Sequence, residues 1–243
     1  MNHKNAEYNP EASSYDESRF HSKLGQHLDY MHKKIVDVLM PSPAGLVLEM
    51  GAGTGRITTW LAEKGFEVIG VDVSREMLKK AKKNANVKHS EIGLVLADMR
   101  FLPFRRATFD SCVCVNVVDH TPDVNNALKE VSKVIKPKGV FIFNYSNIQS
   151  LYLPIAFLVN LRKKALFKRN IYTRWLTLKE ISILLMRNHF HIKEARGCML
   201  ASYLPFGERL INIVQRINFL AENSIIKFYS GSVFIKTQLE FSH

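Results

Sequence analysis

Apolar residues repeat at two different periods along the first 144 residues, and the two periods predict helices that alternate with strands. From Leu24 to Leu39 they recur every three or four positions, which is the period of a helix with one buried stripe, and Pro41 and Pro43 end it. Short apolar runs at 46–50, 66–71, 92–97, 109–115 and 140–144 predict five strands, with helices at 56–64, from Ser74 onward and at about 122–135. Parallel strands need crossover helices, so this order predicts an α/β fold, a Rossmann-like, mostly parallel sheet with helices on both faces.

The alternation stops after Tyr145. A mixed apolar and basic stretch at 151–174 interrupts it, and we expect an inserted lid after strand five. Predicted helices at 177–188 and 208–222 and strands at 189–196 and 232–239 complete the chain, the two strands forming a late antiparallel edge. The pattern divides the chain into an N-terminal helical cap at 1–45, a core at 46–144, an insertion at 145–176 and a C-terminal completion of the sheet at 177–243.

A glycine-rich turn follows the first predicted strand and predicts a nucleotide-like ligand. Glycine allows close approach of a ligand to the backbone and a positive φ, and the turn consists of Glu49, Met50, Gly51, Ala52, Gly53, Thr54 and Gly55. Its G-x-G-x-G spacing, with Arg56 next, differs from the dinucleotide fingerprint. Glu49 can accept hydrogen bonds from an ammonium group, which S-adenosylmethionine has and NAD lacks.

Acidic residues also end the second and third predicted strands. Asp72 can accept both hydroxyls of a ribose, or it can be a simple helix cap. Asp98, after Ala97, can accept the amino group of an adenine while Met99 packs on the ring; alone, Asp98 would be an ordinary loop carboxylate.

Four linked motifs give these residues a family resemblance. They are VLEMGAGTGR, GVDVSREML, LADMRFLPF and FDSCVCVNVVDHTPD followed by LKEVSKVIKPKGVFIFN. Together they resemble the class I S-adenosylmethionine-dependent methyltransferases, especially the small-molecule branch that includes ubiquinone-biosynthesis enzymes. The resemblance implies S-adenosylmethionine as cofactor, with the methionine part near Glu49, the glycines and Thr54. It places the ribose near Asp72, the adenine near Val73, Met77, Asp98 and Met99, and the sulfonium near Asn116.

The N-terminal segment carries a weaker part of the resemblance. In this branch a segment like Tyr15-Asp16 with Arg19 closes over the cofactor, where an aromatic ring can face the sulfonium and a cation can pair with its carboxylate. The alternative is a frayed polar terminus.

Methyl transfer to a hydroxyl needs a base, and a histidine titrates in the useful range. His120 follows the fourth strand, so we interpret it as a candidate general base with Asp119 as its orienting partner or as a substrate contact. The alternative is that His120 only shapes the pocket or caps the next helix. The motifs of amino-directed nucleic-acid enzymes and of cytosine C5 enzymes do not occur after strand four.

Charge and cysteine content limit which partners and which cellular location we expect. The net charge is +12, and Lys and Arg outnumber Asp and Glu by 20 to 17 before Tyr145 and by 14 to 5 from there on. A basic surface attracts phosphates, although it can also be merely a solvated face. Three cysteines without zinc-site spacing predict buried thiols, no metal site and a reducing cytoplasmic location, and no apolar signal opens the chain.

We therefore expect a small-molecule acceptor that is lipophilic or aromatic and is methylated at oxygen. The insertion would cover it, with peripheral contact to anionic membrane, or would only pack on the core. Two alternatives stay open: an RNA methyltransferase that uses the basic C-terminal half, although no RNA-binding module is visible, and a non-catalytic S-adenosylmethionine-binding protein.

Overall fold

A single seven-stranded sheet organises the protein. The computed structural model describes residues 12–41, 45–151, 174–200 and 209–240. The strands are β1 (Leu46–Met50), β2 (Glu67–Asp72), β3 (Gly93–Leu96), β4 (Phe109–Cys114), β5 (Ile135–Ser146), β6 (Phe190–Cys198) and β7 (Ser232–Leu239). Their order is β3-β2-β1-β4-β5-β7-β6, and β7 runs antiparallel to both of its neighbours, whereas β1 to β5 pair in parallel. The predicted mostly parallel sheet with a late antiparallel edge is confirmed.

Side-chain hydrogen bonds define where several helices begin. The helices are α1 (Tyr15–Phe20), α2 (Lys23–Leu39), α3 (Arg56–Glu63), α4 (Arg75–Val87), α5 (Val124–Val134), α6 (Leu178–Arg187) and α7 (Ile211–Glu222). Ser74 caps α4 as predicted, since its hydroxyl accepts the N–H of Met77 at 3.1 Å. Thr177 and Glu180 form a reciprocal capping box at the start of α6.

The two faces of the sheet bury two separate clusters of apolar side chains. Along β1, Leu48 and Met50 belong to the cluster that contains α5 and α6, whereas Val47 belongs to the cluster that contains α2 and α3. The same alternation runs along β5, with Phe141 on the first face and Ile142 on the second. This period of two is what a sheet covered by helices on both faces requires.

The chain direction along the sheet reverses between β1 and β4. From β1 the chain proceeds outward through β2 to β3, and then returns to the other side of β1 as β4. In open α/β sheets, ligands bind in the crevice that forms outside the carboxyl ends of the strands at such a switch point. We therefore expect a ligand to bind beside the residues that follow β1 and β4.

Among the strands, the fifth differs most from its predicted bounds. The fifth strand was expected at 140–144 after a turn at Pro137, but β5 already begins at Ile135, which pairs with Phe109. The register then shifts before Ser111 pairs with Val140, and Lys138 takes a φ of 63°. Strands can contain such an irregularity in pairing, so the residues of the predicted turn belong to β5.

Most of the predicted insertion, residues 152–173, lies outside the described residues. In the part of the chain that the structure describes, no helix is both long enough and apolar enough to span a bilayer.

Candidate functional site

The glycine turn after β1 is held in place by the backbone of β2. The N–H groups of Gly51 and Ala52 both donate to the carbonyl oxygen of Val71, at 2.8 and 2.9 Å. Gly51, Gly53 and Gly55 have φ values of 74°, 53° and 79°, which side chains with a Cβ rarely adopt. At Gly51 a Cβ would also meet Val117 at 2.2 Å, whereas at Gly53 it would meet only the Gly51 oxygen, at 4.0 Å. Gly51 thus serves the packing, and Gly53 leaves backbone open to a ligand.

Glu49 is a buried carboxyl group directly before this turn. It is 2% exposed, and Thr58 on α3 donates its hydroxyl proton to the Glu49 Oε2. Burial raises the pKa of Glu49 to about 8, although the bond from Thr58 and the charge of Arg56 oppose that shift. A cation brought to this carboxyl group would favour its ionised form, so the site is suited to a ligand with an ammonium group.

Asp72, at the end of β2, links the glycine turn to the start of α4. Its Oδ2 accepts the N–H of Gly53 at 2.8 Å, and its Oδ1 accepts the N–H of Ser74 at 2.8 Å. Burial raises its pKa, while these backbone donors act against the increase. A carboxylate offers about four acceptor positions, so Asp72 can still accept hydroxyl groups from a ligand. The structure therefore gives Asp72 a structural role as well as a candidate binding role.

The residues that follow β2 and β3 include one exposed side chain and others that are buried or paired. Val73, next to Asp72, is 38% exposed, whereas Met77 is buried. Ala97 donates its N–H to the Asp72 carbonyl at 3.1 Å. Asp98 forms a two-pronged ion pair with Arg100, whose Nη2 lies 2.6 Å from the Asp98 Oδ2. An adenine amino group would have to share this carboxylate with Arg100.

Met99 is turned largely toward the core. It is 8% exposed, belongs to the cluster beneath α5, and its sulfur accepts the hydroxyl proton of Thr121 at 3.0 Å. Packing of Met99 on an adenine ring stays a prediction that uses only the small exposed part of its side chain.

Helix α1 is attached to the glycine turn through Asp16. The Asp16 Oδ1 accepts the hydroxyl proton of Thr54 at 2.6 Å, and Asn84 on α4 donates to the Thr54 carbonyl oxygen at 2.9 Å. The Arg19 guanidinium lies over the Tyr15 ring, 4.6 Å from its centroid. The N-terminal segment is therefore ordered against the site from Tyr15 onward, and contact of Tyr15 and Arg19 with a cofactor stays a prediction.

Asn116, after β4, takes a left-handed conformation that a neighbouring amide stabilises. Its φ is 59°. Its N–H donates to the Asn144 Oδ1 and its own Oδ1 accepts from the Asn144 Nδ2, both at 2.7 Å, and Asn144 also donates to the Ser232 hydroxyl. Asn144 and Ser232 were not identified from the sequence, because their partners are 28 and 88 positions away and no local pattern indicates such pairs.

Asp119 and His120 lie in a short 3-10 turn (Val118–His120) that follows. Asp119 is 6% exposed, and its Oδ2 accepts the hydroxyl proton of Ser146 from the end of β5. Its Oδ1 is buried and has no hydrogen-bond partner among the residues that the structure describes. The His120 Nε2 lies 3.9 Å from this oxygen, too far for a direct hydrogen bond. The two predicted residues are brought together, and Ser146, which was missed, holds the carboxyl group.

The described residues contain no group of three His, Cys, Asp or Glu side chains that could hold a metal ion. Cys112, Cys114 and Cys198 are all free and buried, and burial raises the pKa of each thiol. Their interpretation as buried thiols is confirmed.

Comparison with known proteins supports the predicted family. Residues 48–143 match the family model described as a methyltransferase domain. The match contains the glycine turn, Asp72, Asp98 and the Asp119-His120 pair. Residues 48–143 form a class I S-adenosylmethionine-dependent methyltransferase domain.

The chain is also similar in sequence to curated proteins. A putative methyltransferase, YqeM, from Bacillus subtilis is 34% identical over 137 residues, which cover 55% of this chain and 53% of that protein. The ubiquinone biosynthesis O-methyltransferase of Coxiella burnetii is 32% identical over 101 residues, which cover 42% of this chain and 43% of that protein. The chain spans about half the length of the curated relatives it matches.

Similarity of fold extends beyond the methyltransferase domain. The crystal structure of an S-adenosylmethionine-dependent methyltransferase from Thermotoga maritima superposes with a TM-score of 0.69 at 20% identity, covering 98% of this chain and all of that chain. At this identity the likeness concerns the fold, and it includes the C-terminal strands β6 and β7.

The geometry of the methyltransferase domain fits its expected cofactor. A Cβ at Gly53 would find open space toward the ligand side, Asp72 retains acceptor capacity, and Val73 is exposed next to it. S-adenosylmethionine carries an ammonium group, a ribose and an adenine, and the partners predicted for them are Glu49, Asp72 and Val73 in that order.

Proposed function

We propose that the protein transfers the methyl group of S-adenosylmethionine to the oxygen of a small lipophilic or aromatic acceptor. The observation that carries this proposal is the pair formed by Asp119 and His120. Next to the residue expected to border the sulfonium, they present a buried carboxylate oxygen without a hydrogen-bond partner among the described residues and an imidazole 3.9 Å from it.

On the donor side, the chain's own groups bind and orient the cofactor. Glu49 would hold its ammonium group, the backbone from Gly51 to Gly55 its methionine part, and Asp72 its ribose. Val73 and Met77 would lie along the adenine, with Asp98 and Met99 at its edge. When bound, the cofactor supplies a methyl group on a positively charged sulfur, so the protein mainly has to align the reactants and exclude water.

On the acceptor side, His120 would take the proton of the acceptor hydroxyl at its Nε2. Protonation gives the imidazole a positive charge, which the nearby Asp119 carboxylate stabilises. Since Ser146 fixes the other Asp119 oxygen, the carboxyl group cannot rotate freely away from the imidazole. Asp119 can thus act on His120 by charge or contact the acceptor directly; both roles use the Oδ1 atom.

Two further observations support a lipophilic acceptor. A relative that matches this chain over 101 residues is named a ubiquinone biosynthesis O-methyltransferase. The sequence at 151–161, which follows β5, is strongly apolar, and the basic stretch behind it suits peripheral contact with anionic membrane.

The experiment is a labelling assay. The protein is incubated with methyl-labelled S-adenosylmethionine and a cell extract that is then separated into lipid, RNA, protein and small polar fractions. We expect label in the organic-solvent extract and its loss in the His120→Ala variant, with cofactor affinity retained. Label in RNA would contradict the proposal and support the RNA methyltransferase alternative. Tight cofactor binding without label in any fraction would support the non-catalytic alternative.

A further inference from the structure

Helix α7 carries a second apolar stripe in addition to the one that it buries. Val214, Asn218 and Ala221 face the protein. On another side of the helix, Leu210, Ile213, Ile217 and Leu220 follow one another at steps of three and four residues. Ile213 is 53% and Leu220 is 70% exposed. A globular helix normally buries one stripe and exposes polar residues elsewhere, so the second stripe requires a partner.

The apolar surface continues beyond the helix. The short 3-10 segment Ile225–Tyr229 follows α7 directly, and Ile225 is 82% exposed. Leu151, 64% exposed, donates its N–H to the Tyr229 carbonyl at 3.1 Å. We call the surface formed by residues 209–229 with Leu151 the α7 surface.

An open groove adjoins the α7 surface on the side of α2. Its volume is about 490 Å³, and Tyr30 and Met31 from α2 and Phe219 from α7 line it. Tyr30 is 61% and Phe219 is 64% exposed. Arg216 lies on the helix between this groove and the stripe, and it also lines the groove.

The charged side chains of the α7 surface that are in contact with solvent are positive. Arg209 and Arg216 are exposed and Lys227 is half-buried. The single acid between residues 209 and 229, Glu222, is 3% exposed and pairs with Lys34 and Arg196. The surface thus combines large apolar side chains with cations and shows no exposed carboxylate, the composition of a segment that lies in an anionic lipid interface.

Charge also decides between the candidate occupants. Residues 152–173, which follow Leu151 in the chain, contain five Lys and Arg and no Asp or Glu. They would add positive charge to a positive surface, and a second copy of α7 would do the same. An anionic bilayer is attracted by both segments.

We infer that the α7 surface docks the protein on anionic membrane, with Ile213, Leu220 and Ile225 entering the headgroup boundary and Arg216 contacting lipid phosphates. Apart from Leu151, this surface lies in the described C-terminal part, and it includes no residue of the apolar stretch at 152–161. The inference does not depend on the methyl transfer proposed above.

Vesicle sedimentation tests the inference. The full chain is mixed at low salt with phosphatidylcholine vesicles that contain or lack phosphatidylglycerol, and the bound fraction is measured. We expect binding that needs the anionic lipid and weakens with salt. The double variant Ile213→Ser/Leu220→Ser should lower the partition coefficient about tenfold or more, and Arg216→Gln about fivefold.

Matched control variants change residues at the other end of the sheet or on another helix. Val87 and Met186 are 73% and 65% exposed, so Val87→Ser/Met186→Ser removes equally exposed apolar groups, and Lys82→Gln removes an exposed charge on α4. Both controls should partition like the unmodified chain. Absence of vesicle binding, equal loss in the controls, or unchanged binding by the Ile213/Leu220 double variant would overturn the inference. A dimer in light scattering that this double variant dissociates, without vesicle binding, would assign the surface to a second copy instead.

Discussion

The ends of β1 and β4 lie side by side in the sheet. The polar groups that follow the two strands differ in how completely they are hydrogen-bonded. After β1, the turn is held by two bonds to Val71, one to Asp72 and one from Thr54 to Asp16. After β4, Asn116 is held equally well, but the next carboxyl group, that of Asp119, keeps one buried oxygen that no described residue bonds. A buried unpaired acceptor costs free energy, so the protein carries a local penalty that a ligand can remove. We therefore propose that the donor side is preformed, whereas the acceptor side is completed by its substrate.

The largest expected effect comes from filling the space under the glycine turn. In Gly51→Ala the new Cβ meets Val117 at 2.2 Å and the φ of 74° is unfavourable. We expect a loss of unfolding free energy of about 3 kcal/mol or more and at least about 100-fold weaker S-adenosylhomocysteine binding. Thermal unfolding and calorimetric titration measure the two.

Gly65→Ala is the matched control. Its φ is 90°, but a Cβ there meets nothing within 4 Å. It should therefore cost only about 1 kcal/mol and leave ligand binding unchanged. Equal losses in both variants would show that backbone strain alone, and not the contact with Val117, makes Gly51 necessary.

The second prediction concerns the pH dependence of stability at Glu49. Its pKa is about 8 in the folded protein, whereas the ordinary pKa of a glutamate is 4.5. The folded state therefore retains a proton that the unfolded chain has lost, and stability that is fully present below pH 4.5 is lost as the pH rises through 8. Glu49→Gln should be more stable than the unmodified chain by about 5 kcal/mol near pH 9 and about equal near pH 4.

Chemical denaturation across this pH range measures the difference. The same variant should bind S-adenosylhomocysteine at least about tenfold more weakly, because the amide cannot neutralise the ammonium group. A constant difference in stability between the two proteins over the whole range would contradict the raised pKa.

The third prediction separates the acceptor side from the donor side. Asp119→Asn removes the unpaired buried carboxylate oxygen while keeping the side-chain shape. We expect stability to stay equal or to rise by about 1 kcal/mol, cofactor affinity to stay within about twofold, and turnover to fall about 10- to 100-fold. Asp123→Asn, which keeps an acceptor for the Asn126 N–H at the start of α5, serves as control and should change none of the three. A large loss of stability in Asp119→Asn would mean that the acceptor side is also fully preformed.

The smallest effect is expected at Asp72. In Asp72→Asn, one of the two donors, the Gly53 or the Ser74 N–H, would face an amide nitrogen instead of an oxygen. We expect about tenfold weaker cofactor binding and a loss of stability of about 1 to 2 kcal/mol. Asp98→Asn, whose carboxylate pairs with the partly exposed Arg100, should cost less stability. Calorimetric titration of both variants ranks the two carboxylates.

The sequence by itself determined the order of strands and helices, since each element carries its own apolar period. It determined the glycine turn equally well, because a positive φ and close backbone approach require glycine wherever the chain folds. The acidic residues at successive strand ends were also predictable, because the carboxyl ends of parallel strands meet at one edge of the sheet.

Only the tertiary structure decided which hydrogen-bond partners these residues have. Asp16 reaches Thr54 across 38 positions, Ser146 reaches Asp119 across 27, and Asn144 joins Asn116 to Ser232. No periodicity indicates such pairs, because they depend on how α1 lies against the glycine turn and on the position of β5 between β4 and β7. The same holds for the exposed stripe of α7: the sequence shows that the helix is apolar on two sides, but only packing decides which side is buried.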